Sequence, residues 1–106
     1  MEVIKLNNEN FNSEVKESNK VVLVDFYADW CGPCKMMSPV IDNIAEELDD
    51  NFKICKLNVD EAQDIAFEYN VMSIPTLIIF KNGTVLEQLV GLKSKSEVLD
   101  ALKESL

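Results

Sequence analysis

The apolar positions of this chain fall into two kinds of run. Val21-Val22-Leu23-Val24 continues, after Asp25, into Phe26-Tyr27-Ala28, and Thr76-Leu77-Ile78-Ile79-Phe80 forms a second block. Both are short, rich in β-branched and aromatic residues, and nearly unbroken in apolarity. That pattern predicts central strands covered on both faces. Phe52-Lys53-Ile54-Cys55-Lys56-Leu57-Asn58-Val59 reads as a third, less uniform strand. Elsewhere the period lengthens. Met37, Val40, Ile41, Ile44, Ala45 and Leu48 recur at three- and four-residue steps, which predicts a long amphipathic helix. Ala62, Ile65, Ala66 and Tyr69 predict a shorter one, and Val98, Leu99, Leu102 and Leu106 a C-terminal one. Ser94 with Glu97 three residues on fits a capping box at the start of that last helix. Phe11 and Val15, four residues apart, suggest a helix after Asn8.

Asn82-Gly83 separates Thr76–Phe80 from the strand-like Thr84–Val90. This dipeptide is a strong hairpin signal, because both central residues of the favoured two-residue turn need positive φ. The second half therefore ends strand, strand, helix, with an antiparallel pair. The first half alternates strand and helix, which implies parallel pairing through a crossover. The expected architecture is α/β: a central mixed sheet flanked by helices on both faces. No linker, repeat or low-complexity stretch divides it, so one domain is expected over residues 1–106.

Composition narrows the functional classes. Hydrophobic residues make up 47% of the chain, enough for a real core and too many for a disordered segment. No apolar run exceeds four residues, far below the ~20 that a membrane-spanning helix needs. The formal net charge of −9 repels phosphate backbones and anionic headgroups, which argues against nucleic-acid and membrane partners. The opening Met1-Glu2-Val3-Ile4-Lys5 lacks the basic start and apolar stretch of a secretory signal. Three cysteines and no histidine do not make a secreted disulfide framework. The expected setting is a reducing, cytoplasmic one, where a cysteine pair is catalytic, redox-active or metal-binding.

That pair lies in Ala28-Asp29-Trp30-Cys31-Gly32-Pro33-Cys34-Lys35, between the first buried strand and the long helix. Cys31 is placed at the helix N-terminus and Cys34 one turn inside, so both sulfurs share a face. Backbone N–H groups and the helix dipole favour negative charge there, and the thiolate is the attacking species in disulfide exchange. Pro33 is tolerated in a first turn, where its missing N–H has no partner to lose. Three other readings stand beside redox chemistry. A structural zinc site needs about four Cys or His ligands, and this chain has one further cysteine and no histidine. A copper carrier could use two thiolates alone. An inert buried pair leaves Trp, Gly and Pro around a strand-to-helix turn without a purpose.

Trp30-Cys31-Gly32-Pro33-Cys34 resembles the active-site motif of the thioredoxin family, and the likeness extends in order along nearly the whole chain. Val24-Asp25-Phe26-Tyr27-Ala28 resembles the family's preceding strand, and Pro39 its kinking helix proline. Lys56-Leu57-Asn58-Val59-Asp60 resembles the third strand. Val71-Met72-Ser73-Ile74-Pro75-Thr76 resembles the cis-proline loop, and Val90-Gly91 the neighbouring glycine site. Tyr27 departs from the pattern, since many members carry Trp there; Asp29 and Ser73 occupy variable positions.

The resemblance implies a thioredoxin fold and reduction of protein disulfides by a monomer that binds no cofactor or metal. In that scheme Cys31 is the nucleophile and Cys34 the resolving thiol. A thioredoxin reductase drawing on NADPH would restore the dithiol. Gly32 and Pro33 stand where isomerases and oxidases of similar fold usually carry His, which favours a reductase. Trp30, Gly32, Pro33, Ile74, Pro75 and Gly91 would form a flat, mostly apolar face for extended protein segments. Pro75 would be cis, against the default of a trans proline opening a strand. Asp25 interrupts an apolar strand, and burial would raise its proton affinity toward neutrality. It is the candidate proton acceptor for Cys34, directly or through water. Lys56 would modulate Asp25. Cys55 shares a strand face with Leu57 and Val59 and reads as a small buried hydrophobe. A module that holds partners on the same face without turnover is the alternative class.

Overall fold

The computed structural model describes residues 1–106. Five strands form one sheet, β1 (Ile4–Lys5), β2 (Val21–Tyr27), β3 (Phe52–Asn58), β4 (Thr76–Lys81) and β5 (Thr84–Val90), in the order β1-β3-β2-β4-β5. Three α-helices, α1 (Gly32–Glu47), α2 (Gln63–Glu68) and α3 (Lys95–Glu104), and a one-turn π-helix (Asn12–Lys16) complete it. β2 lies at the centre, parallel to β3 and antiparallel to β4. This is the mixed sheet expected from the order of elements, and its central strands are the two most apolar runs. Six of the seven residues of β2 are buried, and five of the six of β4.

The period of two sorts side chains onto two cores. Val22, Val24 and Phe26 face the π-helix and α2, where they pack with Cys55, Leu57, Phe11, Ile65 and Phe80. Val21 and Leu23 face α1 and α3, among Ile54, Met37, Ile41, Leu77, Ile79 and Leu102. The helix expected around Phe11 and Val15 is only this single turn, with both residues buried and those between them not. α1 begins at Gly32, ahead of its apolar period, since its first turn carries the cysteine pair and not core. β3 stops at Asn58, one residue short of the apolar Val59.

Asn82 and Gly83 take φ of 53° and 76°, the turn the dipeptide predicted. A side chain at Gly83 would collide with the Lys16 carbonyl oxygen, 2.8 Å from where its Cβ would lie. β5 is almost wholly exposed and carries a bulge, as the register jumps between Ile79 and Phe80. A bulged edge is a poor template for further pairing. Ser94 accepts from the Glu97 amide and Glu97 reaches back, which is the capping box at the start of α3.

Because β2 and β3 run parallel and β4 runs against them, three ends meet on one rim. The C-terminal end of β2, the N-terminus of α1 and the segment entering β4 lie together. A small buried cluster of Ala28, Cys31 and Cys34 sits there, with Tyr27, Val59 and Ile74 packed on it.

Candidate active site

The chain leaves β2 at Tyr27 and turns at once into α1. The Cys31 amide donates to the Ala28 carbonyl at 3.2 Å, which closes the turn. Cys31 is the N-cap, extended at φ −89° and ψ 113°, and its sulfur accepts from the Cys34 amide at 3.2 Å. One orphan donor of the helix start is thus spent on this sulfur. Cys31 and Cys34 are joined as a disulfide with Cα atoms 5.2 Å apart. Both are 4% exposed, whereas Gly32 and Pro33 between them are open to solvent. The two cysteines are equally buried, but only Cys31 borders the apolar groove beside the disulfide.

The Ile74–Pro75 bond is cis, the geometry that the resemblance implied. The Ile74 carbonyl oxygen lies 3.8 Å from Cys31 Sγ. The Thr76 hydroxyl donates to the Ser73 carbonyl at 2.6 Å, and the Gly91 amide to the Pro75 carbonyl at 2.8 Å. These bonds tie the loop to the start of β4 and to the end of β5.

An open groove of about 460 Å³ runs beside the disulfide. Of the expected contact residues, Trp30, Gly32, Pro33 and Ile74 line it; Pro75 is buried beneath, and Gly91 lies outside it. Val59, Val71, Met72 and Ser73 complete the wall. The surface is thus a groove, not a flat face, and Met72, 91% exposed, is its most prominent apolar side chain. Trp30 is 70% exposed, with its indole N–H donating to Asp60 Oδ2 at 2.9 Å. Asp60 is fixed in turn by its amide bonding Asn58 Oδ1 at 2.9 Å. Asp60 stood at the end of a family-like segment, but nothing in the pattern said that it holds the tryptophan.

Asp25 is 4% exposed, and its Oδ1 has no hydrogen-bond partner. Burial pushes its carboxyl up from the usual 3.8 to about 7, and the charge of Lys56 offsets part of that rise. Lys56 is its neighbour in the β2–β3 register but forms no ion pair with it. Cys55 is fully buried, and burial pushes its thiol up to about 12. No group of three or more Cys, Asp or Glu side chains is placed to hold a metal.

The sequence and the fold match known proteins. The family model Thioredoxin matches residues 2–104. A thioredoxin of Bacillus subtilis (strain 168) is 44% identical over all 106 residues, the full length of both chains. A thioredoxin of Rickettsia felis is 48% identical over 96 residues, 91% of each. Among solved structures, a mutant thioredoxin from Halobacterium salinarum NRC-1 superposes with a TM-score of 0.88 at 38% identity, covering 97% of this chain and 89% of that one. Sequence and fold agree over nearly the whole length: this thiol–disulfide oxidoreductase belongs to the thioredoxin family.

Proposed function

We propose that this chain runs as a reductant of protein disulfides, as a single-domain cytoplasmic monomer. The observation that carries this reading is the placement of Cys31. Its sulfur caps α1, receives the Cys34 amide, and borders the apolar groove beside the Ile74 carbonyl. In the dithiol form Cys31 attacks one sulfur of a substrate disulfide as a thiolate, and the other substrate sulfur leaves with the electron pair. The mixed disulfide is then resolved when Cys34 attacks Cys31. The substrate leaves as a dithiol, and the two electrons it gained remain balanced by the Cys31–Cys34 disulfide.

Asp25 supports the second attack. A carboxyl poised at about 7 accepts the Cys34 proton in the neutral range. Lys56 tempers it through its charge. Trp30, Gly32, Pro33, Ile74 and the backbone near Pro75 and Gly91 receive an extended substrate segment, together with Met72. The electrons return from a flavoprotein thioredoxin reductase fed by NADPH, and the chain itself needs no bound cofactor.

The reduction potential tests the direction. Trp30 is the only tryptophan and adjoins Cys31, so its fluorescence reports the couple in graded thiol–disulfide buffers. A midpoint near about −270 mV is expected for a general reductant. A midpoint above about −200 mV would assign the chain to oxidation or isomerisation instead.

A further inference from the structure

Asp25 and Lys56 stand side by side in the β2–β3 register. By the alternation of their strands, both belong to the face that α1 covers, with Leu23 and Ile54 as their neighbours two residues back. Opposite charges so placed are expected to pair, the more so because the carboxylate is buried and unpartnered. They do not. Asp25 Oδ1 has no partner, and the ion pairs of the chain use Lys5, Lys16, Lys53 and Lys95. The Lys56 ammonium instead lies 6.0 Å from the centroid of the Tyr27 ring. Tyr27 is two residues beyond Asp25 on the same strand, so it shares that face.

We propose that Tyr27 is a positioning residue for the exchange reaction: its ring holds the Lys56 ammonium back, so that its charge reaches Asp25 without closing into an ion pair. A lysine over an aromatic face is attracted by the ring quadrupole. Other charges act in the same direction. Glu2, Asp42 and Glu46 line the same shallow groove as Lys56, so carboxylates there compete with Asp25 for the ammonium. Around the phenol stand Lys5 from β1, Glu61 beyond β3 and Asp29 beyond β2, with Lys5 and Glu61 paired at 3.6 Å. The β4 neighbour of Asp25 is Leu77, which carries no charge. Tyr27 also walls a second cleft with Cys34 and packs on the cysteine cluster, so the ring that neighbours the lysine also neighbours the resolving cysteine. The consequence for catalysis rests on Asp25 serving as proton acceptor, as proposed above.

The test follows the Asp25 carboxyl resonance by NMR through a pH titration of the oxidised protein. Tyr27→Leu should lower its midpoint by about one pH unit, the low end of what an opposite charge at ~4–6 Å does. Tyr27→Phe, which keeps the ring, should leave the midpoint in place. In a Lys56→Met background the Tyr27→Leu shift should vanish. If Tyr27→Leu fails to fold, Tyr27→Met is read in the same way. An unmoved midpoint in the ring-less variant overturns the proposal. So does a shift that persists without Lys56, which would assign the effect to water entry, or an equal shift in Tyr27→Phe, which would assign it to the hydroxyl. Failure of Asp25 as proton acceptor shows separately. The pH profile of mixed-disulfide resolution in the unaltered protein would then not follow the carboxyl titration.

Discussion

Replacing Asp25 by Asn should stabilise the protein, and the gain should depend on pH in a calculable way. The carboxyl is raised from 3.8 to about 7 by burial. The folded state therefore binds one proton more than the unfolded chain between those two values. Stability contributed by the protonated form is complete below about pH 4, falls as pH rises, and is gone above about pH 7. Each pH unit in that window removes ~1.4 kcal/mol, so the whole is on the order of 4 kcal/mol. Asparagine is a neutral isostere that does not ionise. The variant should match the unaltered protein near pH 4 and exceed it by about 4 kcal/mol at pH 8 to 9. The chain has no histidine, and in the oxidised form Cys31 and Cys34 do not titrate, so no imidazole or active-site thiol overlaps the upper part of the window, and the remaining carboxyls are common to both proteins. Urea unfolding of both oxidised proteins at half-unit pH steps gives the difference directly. A stability difference that is flat from pH 4 to pH 9 would refute the assignment of Asp25 as a buried carboxyl with raised proton affinity.

Two further outcomes test the frame around the site. Gly83→Ala should destabilise by about 1–3 kcal/mol, because φ is positive there and the new Cβ would press on the Lys16 carbonyl; an unchanged urea midpoint would mean that the hairpin is free to shift. Cys55 should resist alkylation in the native, reduced protein while Cys31 reacts, since its thiol is buried and pushed up to about 12; labelling of Cys55 as fast as in urea would show that the strand opens.

The elements that depend on local pattern were legible in the sequence. β2 and β4 are the two continuous apolar runs, Asn82-Gly83 supplies the turn, and Ser94 with Glu97 the cap. β1 left no such mark. Ile4–Lys5 is strand only because β3 offers it an edge, at Ile4 with Cys55 and Lys5 with Lys56. The site divides the same way. The cysteines, Asp25 and Pro75 stand out by residue type against their surroundings. Val59, Val71 and Met72 carry no mark of a contact surface in the sequence and become groove only when the entry to β4 is folded against α1. The approach of the Lys56 ammonium to the Tyr27 ring is likewise a matter of strand register, invisible until β2 and β3 are aligned.

The reactive rim is tied together at several points. Both neighbours of β2 are hydrogen-bonded along its length, α1 caps directly on Cys31, and the loop before β4 is tied at Ser73 and Pro75. If the trough keeps this shape on binding, the shape change in each encounter falls on the other protein. The client must present its disulfide on a segment already extended, or unfold one locally. The rate at which this chain reduces a given protein should then track that protein's local opening free energy, so that it acts as a selector of loosely held disulfides without reading their sequence.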